Sequence, residues 1–244
     1  MPVEPNAPKM AAMTPILFLS GAGLPAWIWD DVRAHMPEHP DTVVGRYPRA
    51  GHASLADYAD AVAAQISAPT FAVVAHSVGG VVATSLLSRH PGRVTAILGV
   101  AAVVPRPGRS FVSSMPFPTR LVLGAVLKVA GTKPPAKAIR ALAHGLPDNV
   151  ADRIVADFDP ESIGLYRDPT PARDLPAARA YIRGTADNEI SPAVQQASAD
   201  ALQATWTEEL PTGHLPMLQE PARVGQSLRR LLAAIDPSTS TPAP

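Results

Sequence analysis

Phe71-Ala-Val-Val-Ala-His-Ser77-Val-Gly-Gly-Val-Val-Ala83 is the stretch on which the reading of this chain turns. A run of strand-forming apolar residues stops at a small residue and runs into Ser77. Gly79 and Gly80 follow almost at once, then residues compatible with a helix. This layout predicts a strand that turns sharply into a helix and holds a serine hydroxyl at its apex, a nucleophile elbow. The turn is tight, so its flanks must be small, and Ala75 and Gly79 stand two residues either side of Ser77. The usual pattern has glycine at the first of these positions, and the alanine here adds a methyl group where the turn crowds the helix. Alone, a serine between small residues is also what an ordinary turn looks like. Catalysis needs a base to take the hydroxyl proton and an acid to hold that base in the right tautomer.

Around this segment apolar runs alternate with amphipathic ones. Strands are expected at 15–20, 42–46, 71–76, 94–102, 179–184 and 204–210, and helices at 26–36, 55–67, 78–90, 192–203 and 220–235. The strands are apolar on both faces, as in a parallel sheet covered by helices. Such alternation predicts an α/β fold with a mostly parallel sheet of about six strands. One interval breaks the rhythm. About seventy residues separate the strand ending near 103 from the one at 179, more than a crossover helix requires. Helical stretches at 121–129, 136–144 and 149–158 make this interval an expected helical cap, 104–175, inserted into a core of 14–103 and 176–235. The cap would roof the sheet edge at which open α/β sheets bind ligands. The Pro-rich residues 1–13 and the segment 236–244 are expected to be disordered tails.

Seven histidines are available as bases. His35, His39, His90 and His144 fall near helix ends or in loops and are expected to be exposed. His52 follows Gly51 in a polar loop that could edge the site. His76 adjoins the nucleophile, with its side chain expected to point away across the turn. His214 lies in Pro-Thr-Gly-His-Leu-Pro-Met, directly after the last expected strand, in a loop that reaches the sheet edge. For the acid, Gly184-Thr-Ala-Asp187-Asn-Glu189 supplies two carboxylates after the 179–184 strand. Asp187 is favoured as closer to the strand end; either carboxylate could instead cap the helix that follows. An oxyanion needs N–H donors, for which the backbone of Val78, at the start of the elbow helix, and of Ala22, in Ser20-Gly21-Ala22-Gly23-Leu24, are nominated. Substrate contacts are expected from Gly21, Leu24 and Leu215 and, in the cap, from Met115 and Phe117. Leu121, Leu127 and Phe158 would help to shape the pocket there.

The chain length of 244 residues suits one large domain or two small ones, and a core that needs no staple. Formal net charge is zero, so no global basic field exists to draw nucleic acid or an acidic membrane face, although composition leaves a local basic patch open. The absence of cysteine removes disulfides and thiol chemistry. No metal or organic cofactor is expected, and the expected partner is a small-molecule substrate; oligomeric state is not legible. The first residues lack a charged region followed by an apolar one, and no apolar run is long enough to span a bilayer, so a cytoplasmic protein is expected.

With these motifs in place, residues 14–235 resemble the α/β-hydrolase superfamily, and within it the small plant methylesterase and hydroxynitrile lyase-like group. Ser-Gly-Ala-Gly-Leu-Pro-Ala-Trp-Ile-Trp at 20–29 is similar to that group's His-Gly-Ala-x-x-Gly-Ala-Trp-x-Trp, and Gly-His-Leu-Pro-Met-Leu-Gln-Glu-Pro at 213–221 to its base loop. The order Ser77, Asp187, His214 is that superfamily's chain order. Ser20 replaces the group's usual histidine. The group's lyases resemble one another in a lysine after the base and a threonine in the oxyanion loop, where this chain has Leu215 and Gly21. The resemblance therefore implies hydrolysis of a small, largely apolar carboxylic ester by a serine esterase. The alternatives are a lyase or cyclase using His214 and Asp187 in acid–base chemistry, or a non-catalytic ligand-binding member of the fold.

Overall fold

A computed structural model describes residues 13–48 and 51–236. Its centre is one sheet of six strands: β1 (Ile16–Leu19), β2 (Thr42–Val44), β3 (Phe71–His76), β4 (Val94–Val100), β5 (Ala178–Gly184) and β6 (Trp206–Leu210). Their order is β2-β1-β3-β4-β5-β6, and every neighbouring pair is parallel. The strand alternation sorts the core into two layers. Ile16, Phe18, Ala72, Val74, Leu98 and Ile182 face one apolar cluster, while Leu17, Leu19, Val73, Ala75, Ile97 and Tyr181 face the other. Both faces are dry because parallel strands need crossovers, and the crossover helices cover the sheet.

The helices are α1 (Asp30–Ala34), α2 (Leu55–Ala63), α3 (Gly79–Arg89), α4 (Phe111–Ser114), α5 (Thr119–Val129), α6 (Ala136–Leu142), α7 (Asp148–Ala156), α8 (Ile163–Arg167), α9 (Pro192–Leu202), α10 (Pro216–Gln219) and α11 (Pro221–Leu232). Local chemistry explains their ends. A capping box between Ser54 and Asp57 starts α2, and proline occupies the first turn of α9 and α11. Helix α11 turns Val224, Leu228, Leu231 and Leu232 into the core, with Arg229 and Arg230 left toward water.

Several boundaries differ from those expected. The helix expected at 26–36 is a 3-10 turn over Ala26–Trp29 followed by the short α1, which ends before Pro37. The helix expected at 220–235 is the single α11, which starts at Pro221 because Glu220, before that proline, is held out of helical geometry at φ −136° and ψ 53°; the short α10 ahead of it was not expected. The strand expected to reach 102 stops at Val100, where Ala101 turns at φ +44°. Helices α4 and α8 are too short to leave a periodic signature. The tails expected to be disordered fall mostly outside the described residues, at 1–12 and 237–244. Among the described residues no helix is long and apolar enough to cross a membrane.

Five helices, α4 to α8, lie between β4 and β5. This insertion grips the loop after β1. The amide of Gly23 donates to the carboxylate of Glu161 at 2.8 Å, and its carbonyl accepts from the Asp159 amide at 3.1 Å. The ring of Phe158 covers the same glycine, which sits at φ +64° with no room for a side chain. The two tryptophans of the Ala26–Trp29 turn serve different partners. Trp29 Nε1 donates to Ser20 Oγ at 3.1 Å, and Trp27 Nε1 donates to Asp157 at 2.8 Å while Arg153 stacks on its ring.

Candidate active site

β3 delivers the chain to Ser77 at the centre of the sheet's C-terminal edge. Ser77 has φ +51°, a left-handed conformation that is costly for a residue with a side chain and that aims its hydroxyl out of the strand-to-helix turn. Packing enforces the turn. A methyl group on Gly79 would lie 2.5 Å from the Leu19 carbonyl oxygen, and one on Gly80 would lie 2.5 Å from that of Val103. Ala75, the departure from the usual elbow, is fully buried in the core, so its methyl group is accommodated.

The loops after β5 and β6 bring the two other groups to this hydroxyl. His214 Nε2 is 3.1 Å from Ser77 Oγ, and His214 Nδ1 is 2.9 Å from Asp187 Oδ2. All three residues are buried. A carboxylate only accepts, so Asp187 places the imidazole proton on Nδ1 and leaves Nε2 free to accept from the serine. Its other oxygen, Oδ1, accepts the amides of Glu189 at 2.8 Å and Ile190 at 3.0 Å. Burial pushes the Asp187 carboxyl upward, but the bond to His214, its charge and the two amides outweigh it and hold the group below its ordinary range. Glu189, the other carboxylate in this loop, is exposed.

The two backbone amides nominated from the sequence differ from their neighbours. Gly23 N–H goes to Glu161 and Leu24 N–H to the Gly21 carbonyl, whereas those of Ala22 and Val78 have no acceptor among the described residues. Gly21 is pressed against the elbow, since a methyl group there would meet the His76 ring at 2.7 Å and Ser77 Cβ at 2.9 Å. Ser20, in place of the histidine of the resembling group, still anchors this loop. Its side chain accepts from Trp29, and its carbonyl accepts from the Tyr47 hydroxyl at 2.9 Å.

His76 does more than point away. Its Nε2–H donates to the His214 carbonyl at 2.8 Å, and the two rings lie 4.8 Å apart. Burial, reinforced by the neighbouring His214, drives its pKa to about 3, so it stays neutral and keeps this donor. Glu161 likewise escaped the sequence reading. It is buried, accepts from Gly23 and the Tyr166 hydroxyl, and has its pKa lifted to about 7, chiefly by burial. Neither residue carries a motif, because the backbone carbonyl or amide that each one meets is far away in sequence.

The expected substrate contacts divide. Leu24 is half-buried, and Met115 packs with Val103, Ile190 and Val194 close to the Asp187 loop. Leu215 departs from its expected role: only 1% exposed, it is part of the core cluster with Met217 and Phe18 and offers a ligand almost no surface. Phe117 departs in the opposite sense, with its ring 69% exposed instead of enclosed, and Leu121 is exposed with it. Of the remaining histidines, His39 is buried, contrary to expectation, and His90 is half-buried at 2.9 Å from Asp60. His35, His52 and His144 are exposed. A cleft of about 240 Å³, lined by Ser20, Gly23, Leu24, Tyr47 and Glu161 among others, opens beside the loop after β1 and does not include Ser77. Among the described residues no cluster of three or more histidine or acidic side chains is placed to hold a metal ion.

Comparison with solved structures gives likenesses over nearly the whole chain. An extracellular α/β-hydrolase from a Paenibacillus species superposes with a TM-score of 0.71 at 17% identity, covering 89% of this chain and 98% of that one. Tomato methylketone synthase I, in complex with β-ketoheptanoate, gives 0.71 at 14% identity over 91% and 97% of the two chains. A thermophilic esterase from Thermogutta terrifontis gives 0.71 at 19% identity over 91% and 90%. At such identities these likenesses speak to the fold. Comparison with curated protein sequences gives no match. Residues 16–226, however, match the family described as the alpha/beta hydrolase family, a span that takes in Ser77, Asp187 and His214 together. This chain belongs to the alpha/beta hydrolase family.

Proposed function

We propose that this hydrolase-family chain is a serine esterase that cleaves a small, largely apolar carboxylic ester through an acyl-enzyme on Ser77. The observation that carries the reading is the relay of Ser77 Oγ, His214 and Asp187 at 3.1 and 2.9 Å. In this mechanism the Ser77 oxygen attacks the ester carbonyl carbon as its proton passes to His214 Nε2. Asp187 stabilises the imidazolium through Nδ1–H without itself taking the proton. The carbonyl oxygen becomes an oxyanion held by the amides of Val78 and Ala22, and each such donor is worth about 3 kcal/mol of barrier. Collapse expels the alcohol, which leaves with the proton from His214. Water then repeats the sequence on the acyl-enzyme, releasing the carboxylic acid and restoring Ser77. No step calls on a cofactor.

His76 acts here as a positioning residue, fixing the His214 backbone from behind. Leu24 and Met115 give the site an apolar border, and the helices of 104–175 act as its cap. The residues after the base and in the oxyanion loop, Leu215 and Gly21, favour hydrolysis over lyase chemistry, because neither position supplies an ammonium to stabilise a departing anion. The test is Ser77→Ala. It is expected to reduce turnover of short-chain p-nitrophenyl esters to background, a loss on the order of 10⁴-fold or more, and to abolish fluorophosphonate labelling. A variant that keeps both activities rules out the acyl-enzyme.

A further inference from the structure

Helix α5 is apolar on the wrong side. Leu127 is its buried anchor and Leu123 and Gly124 are half-buried, so the helix packs along that edge. At about 100° per residue, the opposite arc carries Leu121, Val122, Ala125, Val126 and Val129. All five are exposed, with Leu121 at 60%, Val122 at 62% and Val129 at 87%, and the exposed ring of Phe117 extends the patch at the helix N-terminus. A helix on the surface of a water-soluble domain normally turns polar residues outward, and a contiguous apolar patch of this kind marks a contact surface.

Charge identifies what the patch contacts. The chain as a whole is neutral, but residues 104–147 contain seven basic residues (Arg106, Arg109, Arg120, Lys128, Lys133, Lys137 and Arg140) and no acidic one. All seven are exposed. Arg140 is tied to Asp148 and Asp152 on α7, whereas the other six have no carboxylate partner among the described residues. The acidic residues of the insertion lie in its second half, from Asp148 to Asp174. A symmetric pairing of two copies through α5 would bring two unneutralised basic segments together, which like-charge repulsion opposes. An apolar arc flanked by unpaired lysine and arginine instead matches the interface of an anionic bilayer, where apolar side chains enter the boundary of the acyl region and cations meet phosphates.

We propose that α5 and its flanks dock this protein on an anionic phospholipid surface, with Phe117, Leu121, Val122, Val126 and Val129 immersed and Arg120, Lys128, Lys133 and Lys137 on the headgroups. Docked in this way, the insertion would face the reservoir in which apolar molecules partition. The proposal does not depend on the reaction assigned to Ser77, since it concerns binding alone.

The experiment is co-sedimentation of the full chain with phosphatidylcholine vesicles, with and without phosphatidylglycerol. Binding is expected only where phosphatidylglycerol is present, and it should weaken with salt. Each basic residue near such a surface is worth about a fivefold change in partitioning, so Lys128→Ala with Lys133→Ala is expected to weaken binding about thirtyfold. Val122→Asp with Val129→Asp, at sites 62% and 87% exposed, is expected to abolish binding while turnover of a soluble p-nitrophenyl ester is unchanged. Wild-type protein that stays in the supernatant overturns the proposal, as does an aspartate variant that sediments like wild type. A wild-type dimer in light scattering that the aspartate variant splits into monomers also overturns it, by assigning the face to a second copy.

Discussion

Glu161→Gln isolates the energetic cost of burying a carboxyl group beneath the insertion. Glu161 is 4% exposed, with one oxygen accepting the Gly23 amide at 2.8 Å and the other the Tyr166 hydroxyl at 3.2 Å. Burial raises its pKa from 4.5 to about 7; the hydrogen bonds from Gly23, its own amide and Tyr166 offset part of the rise, and the charge of Asp159 adds to it. Tyr47, Tyr58 and Tyr166, the other titratable groups around it, all have raised pKa values and stay neutral in this range. A folded-state pKa above the unfolded one means that the folded protein binds the proton more tightly. Its contribution is therefore complete below about pH 4.5 and is lost as the pH rises through about 7. At about 1.4 kcal/mol per pH unit, that interval amounts to about 3 kcal/mol. Glutamine is neutral at every pH, keeps an oxygen for Gly23 and can donate to the Tyr166 oxygen. Urea unfolding followed by tryptophan fluorescence should give similar stabilities for the two proteins near pH 4 and a variant more stable by about 3 kcal/mol near pH 8. Parallel pH dependences, agreeing within about 0.5 kcal/mol, would refute the assignment of a buried, destabilising charge at Glu161.

Two further substitutions probe the site and its scaffold. Asp187→Asn keeps the shape but no longer dictates the His214 tautomer; kcat for a p-nitrophenyl ester is expected to fall on the order of 10³–10⁴-fold with KM little changed, and a kcat within tenfold of wild type removes Asp187 from the relay. Gly79→Ala places a methyl group 2.5 Å from the Leu19 carbonyl oxygen, a backbone atom that cannot swing aside. A loss of about 2 kcal/mol in stability is expected, read as a fall in Tm, together with weaker activity as the elbow shifts from the oxyanion loop.

The sequence by itself carried the parallel sheet, and it singled out Ser77, Asp187 and His214, which the fold brings within hydrogen-bonding distance of one another. Short runs apolar on both faces are buried when helices cover both sides of a parallel sheet, and the elbow, the Asp187 loop and the His214 loop each announce themselves through small residues at a strand end. It also held the charge asymmetry of 104–147, which the neutral total conceals. What it could not carry is contact between residues distant along the chain. Asp187 and Glu189 stand two residues apart in one loop, and only the packing of the β5 and β6 loops brings one of them to the imidazole. His76 meets the carbonyl of a residue 138 positions away, and Glu161 meets an amide equally far off in the opposite direction along the chain. Leu215 and Phe117 show the same limit from the other side: both are apolar and next to motif or cap residues, yet one is core and the other faces outward. Local pattern dictates which way a strand or helix turns its own side chains. Which surface then covers them, or leaves them bare, is decided by the tertiary arrangement, because burial belongs to the neighbours as much as to the residue.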